Sequence, residues 1–97
     1  METIQVSTQG KQAFQDITDR IQSAVRDTGV EDGICYLFCP HTTAGIVLNE
    51  NWDTSVQHDL GVGLGKISPS RPEYRHGEGN SDAHIKASLF GASETIL

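Results

Sequence analysis

The sequence lacks the features of several classes of protein. No apolar run reaches bilayer length, so no membrane-spanning helix is predicted. The opening residues, METIQVSTQGKQ, show no basic region followed by an apolar stretch, so we expect no secretory signal and a cytoplasmic location. Basic residues are also scarce: seven Lys and Arg face 13 Asp and Glu, for a formal net charge of −6. Because clustered Lys and Arg hold phosphate backbones, we do not expect nucleic-acid binding.

Cysteine is scarce too, with only two residues, Cys35 and Cys39. Both fall in GICYLFC, which has the pattern of a buried strand. Four strand steps separate their α-carbons by about 13 Å, whereas a disulfide needs α-carbons within about 7 Å. Four-residue spacing on a strand is also a poor zinc motif. We therefore interpret both thiols as apolar packing groups.

At 97 residues the chain is expected to form one domain, residues 1–97, and to bury roughly two-thirds of its unfolded surface. A first helix is predicted from an apolar stripe about 100° wide. Asp16 or Thr18 is expected to cap its start and Gly29 to end it. The residues of the stripe are Ile17, Ile21, Ala24, Val25 and Thr28.

Two further helices are predicted, the second from Asp53 or Thr54 to Leu64 and the third from Ser81 or Asp82 to Phe90. The side chains expected on the buried side of the second helix are Trp52, Val56, Leu60 and Leu64.

Alternating patterns predict strands over 3–7, 33–39 and 45–48, and an extended segment over 93–97. Residues 65–80 concentrate Gly, Pro, Ser and charge, and are therefore expected to form a long loop.

The four histidines all lie between His41 and His84. His58 falls about 160° from Leu60 on the second predicted helix and is expected on the surface. His41 follows a strand, His76 lies in the long loop, and His84 lies in the first turn of the third helix. A histidine pair with a carboxylate suits a divalent metal, although each histidine alone is more often a hydrogen-bonded structural residue.

Six side chains around His76 and His84 alternate along the chain and would share one face of an extended strand. They are Tyr74, His76, Glu78, Asn80, Asp82 and His84. Arg75 and Lys86 lie beside them and could meet the phosphate oxygens of an anionic small molecule. The charge pattern fits scattered, solvated cations equally well, and both interpretations stay open.

The segment NENWD, residues 49–53, supplies further polar groups between a strand and a helix. Asp53 is a candidate helix cap. Glu50 is a candidate base or ligand, because a carboxylate that leaves a buried strand is easily desolvated, which raises its pKa. Both interpretations stay open.

Three strings resemble the YjbQ family, also described as secondary thiamine-phosphate synthase-like proteins. They are HTTAGIVLNENWD at 41–53, YRHGEGNSDAHIKASLFG at 74–91 and, less specifically, the QGKQAFQDIT lead-in to the first helix. The match covers essentially the whole chain. The family's polar site pattern falls on His41, Asn49, Glu50, Asp53, Tyr74, His76, Glu78, Asn80, Asp82, His84 and Lys86.

This resemblance implies an α+β fold in which mixed β-sheets pack with helices, and a homotrimer with sites near subunit boundaries. It also implies a weak or secondary activity that joins hydroxymethylpyrimidine diphosphate to thiazole phosphate and releases pyrophosphate. Family members usually continue past Leu97 with further strands that contain a Gly-Thr-Trp-Gln-Gly type segment. We therefore expect an exposed sheet edge here.

Our leading hypothesis is a metal-assisted thiamine-phosphate synthase-like transferase. His41, His76 and His84 would hold a divalent ion, zinc or magnesium. The catalytic residues would be Glu50, Asp53 and Lys86. The ligand-binding residues would be Asn49, Arg75 and Asn80. The alternatives are a non-catalytic oligomeric module that binds a metal or an anion, and a metal-dependent phosphate-ester hydrolase.

Overall fold

The structure is a computed structural model that describes residues 1–97. Its sheet is formed by two short strands that come from distant parts of the sequence. β1 (Cys35–Phe38) pairs antiparallel with β2 (Ser93–Ile96), from Cys35 opposite Ile96 to Phe38 opposite Ser93. Three helices complete the fold: α1 (Thr18–Thr28) precedes β1, and α2 (Ser55–Ile67) and α3 (Ser81–Phe90) lie between the strands. The predicted α+β class is confirmed.

Helix α1 ends at Gly29 as its sequence predicts, whereas Ile17, rather than Asp16 or Thr18, occupies the cap position at its start. The Asp16 side chain accepts a hydrogen bond from the Thr18 backbone N–H at 2.9 Å. Gly29 ends the helix in a left-handed conformation, with φ of 75°, and its N–H donates to the Arg26 carbonyl. Glycine suits this position because it adopts positive φ without a Cβ clash.

Helix α2 continues past its predicted end at Leu64 to Ile67, despite its three glycines. Leu64 is one of only two buried residues in the chain. The prediction that Trp52 lies on the buried side is wrong, because the indole is 96% exposed. Trp52 precedes the first turn of α2, so the helical repeat that turns Leu64 inward does not apply to it.

The predicted strands at 3–7 and 45–48 do not form, and β1 is shorter than the predicted 33–39. A strand needs a neighbouring strand with which to form a series of backbone hydrogen bonds. Residues 45–48 make only an isolated contact of this kind. Ile46 donates its N–H to the Gly91 carbonyl at 3.3 Å. Residues 93–96 form the predicted extended segment because β1 supplies their partner.

The long loop is also shorter than predicted, since α2 includes residues 65–67. Two turns shape it: Tyr74 donates its N–H to the Arg71 carbonyl at 3.2 Å, and Gly79 donates to the His76 carbonyl at 3.1 Å. The alternating side chains of residues 74–84 therefore follow a turn and then a helix. The expected shared strand face does not exist.

The core is smaller than predicted. The accessible surface of 7851 Å² exceeds the roughly 5400 Å² of a typical folded protein of this mass, so the chain buries about half of its unfolded surface. Its radius of gyration is 15.3 Å, against about 12.5 Å for a compact domain of this length. Tyr36 and Phe38 lie exposed on the outer face of the sheet. No helix combines the length and the apolar character that a membrane crossing requires.

Gly45 lies where the segment after β1 passes closest to the end of α3. A Cβ at this position would sit 2.9 Å from the Gly91 carbonyl oxygen and 3.0 Å from the Phe90 Cβ. We expect Gly45→Ala to lower the free energy of unfolding by about 1–3 kcal/mol, the usual cost of overpacking. Urea unfolding followed by circular dichroism measures this.

The matched control is Gly63→Ala in α2, where an added Cβ meets no atom within 4 Å. This substitution should stabilise the protein by about 0.5–1 kcal/mol, because alanine favours a helix interior. Equal effects of the two substitutions would contradict the close approach at Gly45.

Candidate functional site

Two histidines meet beside the first turn of α3. The ring centroids of His76 and His84 are 5.1 Å apart and their planes cross at 87°, an edge-to-face arrangement. The turn closed by Gly79, whose φ is 72°, brings His76 back toward the helix. His84 is held by the helix itself, since its N–H donates to the Asn80 carbonyl.

Two further polar side chains, Glu78 and Asn80, lie between the histidines in sequence. The Glu78 carboxylate lies 3.9 Å from the His76 Nε2. Asn80 precedes α3, and its side-chain Oδ1 is buried without a hydrogen-bond donor in the chain. Such acceptors are rare in folded proteins. Arg75 is exposed next to His76.

The predicted cation Lys86 belongs to a different side of α3. Its Nζ lies 3.9 Å from the Asp82 carboxylate, and both side chains are half-buried. A step of two residues turns a helix by about 200°, so Lys86 and His84 point in nearly opposite directions. The paired Lys86 and the histidine pair are therefore not one cluster.

The start of α3 is fixed against the end of α2 by Ser68, which is 1% exposed. Its hydroxyl donates to the Asp82 carbonyl at 3.1 Å. Its backbone N–H donates to the Leu64 carbonyl at 2.9 Å, which ends α2. Sequence reasoning missed Ser68 because a serine in a loop carries no signal of burial.

The NENWD segment lies exposed before α2. Asn49 accepts a hydrogen bond from the Glu50 N–H at 2.7 Å. The Glu50 side chain is exposed, so the desolvation expected of it does not occur, because no buried strand precedes it. Asp53 accepts a hydrogen bond from the Ser55 N–H at 2.9 Å. This bond to the start of α2 lowers the pKa of Asp53 below its ordinary value.

A side-chain network that the sequence did not reveal ties this segment to α1. Asn51 donates from Nδ2 to Asp16 at 2.8 Å, and Gln57 donates to Asn51 Oδ1. The Thr18 and Asn51 hydrogen bonds hold the pKa of Asp16 below its ordinary value, Thr18 contributing most. Asp16 and Asn51 are 35 positions apart, and no local pattern signals such a contact.

His41 and His58 do not join the histidine pair. His41 is exposed after β1, and no group of three His, Cys, Asp or Glu side chains in the chain could hold a metal ion. Two imidazoles are fewer than the three or four protein ligands of a zinc site, so the residues of a single chain do not fit that ion. His58 is 75% exposed beside Asp59, which confirms its predicted surface position.

Comparison with known proteins identifies the family. The family model described as UPF0047 protein YjbQ-like matches residues 2–97. The chain belongs to this family. The UPF0047 protein MJ1081 of Methanocaldococcus jannaschii is 48% identical over 93 residues, which cover 96% of this chain and 67% of that protein. The UPF0047 protein YugU of Bacillus subtilis is 38% identical, over 100% of this chain and 74% of that protein.

The fold agrees with solved structures of the family. A YjbQ/UPF0047 protein of Clostridium acetobutylicum superposes with a TM-score of 0.89 and 50% identity, over 94% of this chain and 70% of that one. A YbjQ-like protein of unknown function from Sulfolobus solfataricus gives a TM-score of 0.86 at 30% identity. The resemblance seen in the sequence is confirmed. Family membership identifies the fold and leaves the reaction to be proposed.

Removing the buried hydroxyl at Ser68 should loosen the joint between α2 and α3. We expect Ser68→Ala to lower the free energy of unfolding by about 1–2 kcal/mol, since one net hydrogen bond is lost in a dry environment. The control is Ser88→Ala on the exposed side of α3, where the hydroxyl also donates to a carbonyl, that of His84. A loss at Ser88 as large as that at Ser68 would contradict the role of burial.

The lowered pKa of Asp53 predicts a titration that can be followed at the start of α2. Because the folded pKa lies below the ordinary value of 3.8, the Asp53–Ser55 contact is fully present above that pH and weakens as pH falls through the folded pKa. The Ser55 amide resonance in NMR should therefore titrate with a midpoint below 3.8. In Asp53→Asn this acidic step should vanish, and its persistence would assign it to another carboxyl.

Proposed function

We propose that this protein is a thiamine-phosphate synthase-like transferase with a weak or secondary activity. It would join hydroxymethylpyrimidine diphosphate to thiazole phosphate and release pyrophosphate. The sequence resemblance suggests the reaction. The observation that carries the proposal is the His76–His84 pair beside the first turn of α3, with their ring centroids 5.1 Å apart. Imidazole N–H groups can donate hydrogen bonds to phosphate oxygens and a helix N-terminus favours anions, and both substrates are anionic.

In this reaction the thiazole nitrogen attacks the methylene carbon of the pyrimidine. The new C–N bond forms as the C–O bond to the diphosphate breaks, and the electron pair leaves on the pyrophosphate. Negative charge therefore develops on the departing oxygen. His76 and His84 would donate hydrogen bonds to the diphosphate, and preorganised donors at such a position accelerate the step.

The remaining candidate residues have more distant roles in the proposal. Arg75, exposed beside His76, would meet the second phosphate, with Asn49 and Asn80 contacting the ligand. Glu50 and Asp53 would approach from the segment before α2. Lys86 would attract the anionic substrates from the other side of α3.

The proposal includes a divalent ion, zinc or magnesium, only if a third protein ligand is available. His76 and His84 supply two ligands, and another group would have to supply the third. We propose that a homotrimer with sites near subunit boundaries supplies it. The exposed Tyr36 and Phe38 support an assembly, because apolar side chains of this size are usually covered.

A non-catalytic anion-binding module is the rival function. One observation favours it: the Glu50 carboxylate is exposed, and its backbone hydrogen bond is to its neighbour Asn49. A histidine pair without a positioned base can hold a phosphate but need not transform it. The rival therefore predicts binding of hydroxymethylpyrimidine diphosphate without turnover.

The purified protein is tested with both precursors, in separate reactions with Mg²⁺, Zn²⁺ or a chelator, and thiamine phosphate and pyrophosphate are quantified by mass spectrometry. We expect both products in equal amounts. His76→Ala and His84→Ala should each lower the rate at least about tenfold, the lower range for lost transition-state donors. His58→Ala should leave the rate unchanged, since this imidazole is 75% exposed and lies beside Asp59, outside the proposed site.

No product above the enzyme-free reaction under any metal condition would overturn the transferase. Calorimetric binding of hydroxymethylpyrimidine diphosphate that His84→Ala abolishes would then support the anion-binding module.

A further inference from the structure

We propose that Asp16 is a positioning residue that acts through Asn51 to hold the Asn49–Asp53 segment in place. The catalytic part of this inference rests on the proposed function, because Glu50 and Asp53 belong to that segment. Asp16 itself lies before α1 and is not among the catalytic, ligand-binding or metal residues named above.

The inference starts from a chain of matched donors and acceptors. One carboxylate oxygen of Asp16 accepts the Thr18 N–H at 2.9 Å, and the other accepts Asn51 Nδ2 at 2.8 Å. Asn51 in turn accepts a hydrogen bond from Gln57 in the first turn of α2. The carboxylate therefore links the start of α1 to the start of α2 across a half-buried amide.

The segment has little else to hold it. Residues 49, 50, 52 and 53 are exposed, and the segment has no regular secondary structure. The hydrogen bonds of Asn49 and Asp53 side chains reach only one or two residues along the chain. Asp53 is also joined to the start of α2 through the Ser55 and Val56 N–H groups. Asn51 makes the segment's side-chain contact with the start of α1, so its loss would free the segment from α1.

Because each donor in this network faces an acceptor, exchanging the carboxylate and the amide between positions 16 and 51 tests the contact. Asn51→Asp would face the Asp16 carboxylate with a second carboxylate at hydrogen-bond distance, where like charges repel. Adding Asp16→Asn restores every partner. The new amide at position 16 still accepts from Thr18 through its oxygen and donates to the new carboxylate, which still accepts from Gln57. The double variant therefore has the net charge and the hydrogen bonds of the native protein.

Trp52 provides the readout, because it is the only tryptophan and lies next to Asn51. The fluorescence anisotropy of the full chain is measured for the native protein, N51D, D16N and the D16N/N51D pair. We expect N51D to lower the Trp52 anisotropy and the pair to restore it. D16N alone should have a smaller effect than N51D, since Asn51 and Gln57 can rotate their amides to match it. Asn49→Asp and Asp19→Asn are the charge-matched controls for this readout, and both should leave the anisotropy unchanged.

The kcat of each variant distinguishes a role in positioning Glu50 and Asp53 from an effect on stability alone. In the precursor assay N51D should lower kcat roughly tenfold, since displacement of reacting groups by about 1 Å can cost even more. The D16N/N51D pair should recover most of that loss.

Unchanged anisotropy in N51D, or a double variant no better than N51D, would show that Asp16 and Asn51 do not hold the segment in place. A rescued anisotropy with kcat unaffected in N51D would overturn its role in catalysis. Absence of turnover in the native protein would instead count against the proposed function, while the anisotropy results still decide whether Asp16 holds the segment.

Discussion

The antiparallel pairing of β1 with β2 is the contact on which the arrangement of the other elements depends. Its partners, such as Cys35 and Ile96, lie far apart in sequence, so the pairing closes a loop that contains α2, α3 and both turns. Closing such a loop costs chain entropy before any contact stabilises it. Two hydrogen bonds extend the joint beyond the strands: Cys39 donates to the Ala92 carbonyl and Ile46 to that of Gly91. The close approach of Gly45 to the end of α3 follows from this joint.

The same pairing explains why so little of the chain is buried. A two-stranded sheet has marginal stability by itself and has two faces to cover. Cys35, Leu37 and Ile96 share the half-buried face, whereas Tyr36 and Phe38 lie on the face that the chain leaves exposed. Solved relatives with this fold are longer chains, of which this one spans about 70% in the Clostridium protein. The sheet is therefore the element that would gain most from contacts beyond those described.

Local interactions explain which elements the sequence predicts well. The Gly29 end of α1 and the span of α3 depend on residues within a few positions of each other, and both were predicted. The α1 stripe was predicted in part: Ile17, Ile21 and Ala24 are half-buried, whereas Val25 and Thr28 are exposed. The strands at 3–7 and 45–48 were predicted from the same kind of local pattern, but a strand also needs a distant partner, which the pattern does not supply. The Asp16–Asn51 contact is unpredictable for the same reason. The prediction that Trp52 is buried fails for a different reason: Trp52 continues the apolar stripe in sequence but lies before the helix starts.

The candidate site combines both kinds of interaction. His76 and His84 are brought together by one turn and one helix start, within nine residues. Their pairing therefore needs neither the sheet nor the Asp16–Asn51 contact. Glu50 and Asp53 lie on the segment that Asn51 joins to Asp16, 35 positions away, just before α1. Anion binding at the histidines and any chemistry that requires Glu50 can therefore fail independently. Under the proposed function, a protein with a loosened segment would still bind a diphosphate yet turn over slowly. Binding without turnover would then identify a simple anion-binding module only when the Asp16–Asn51 contact is intact.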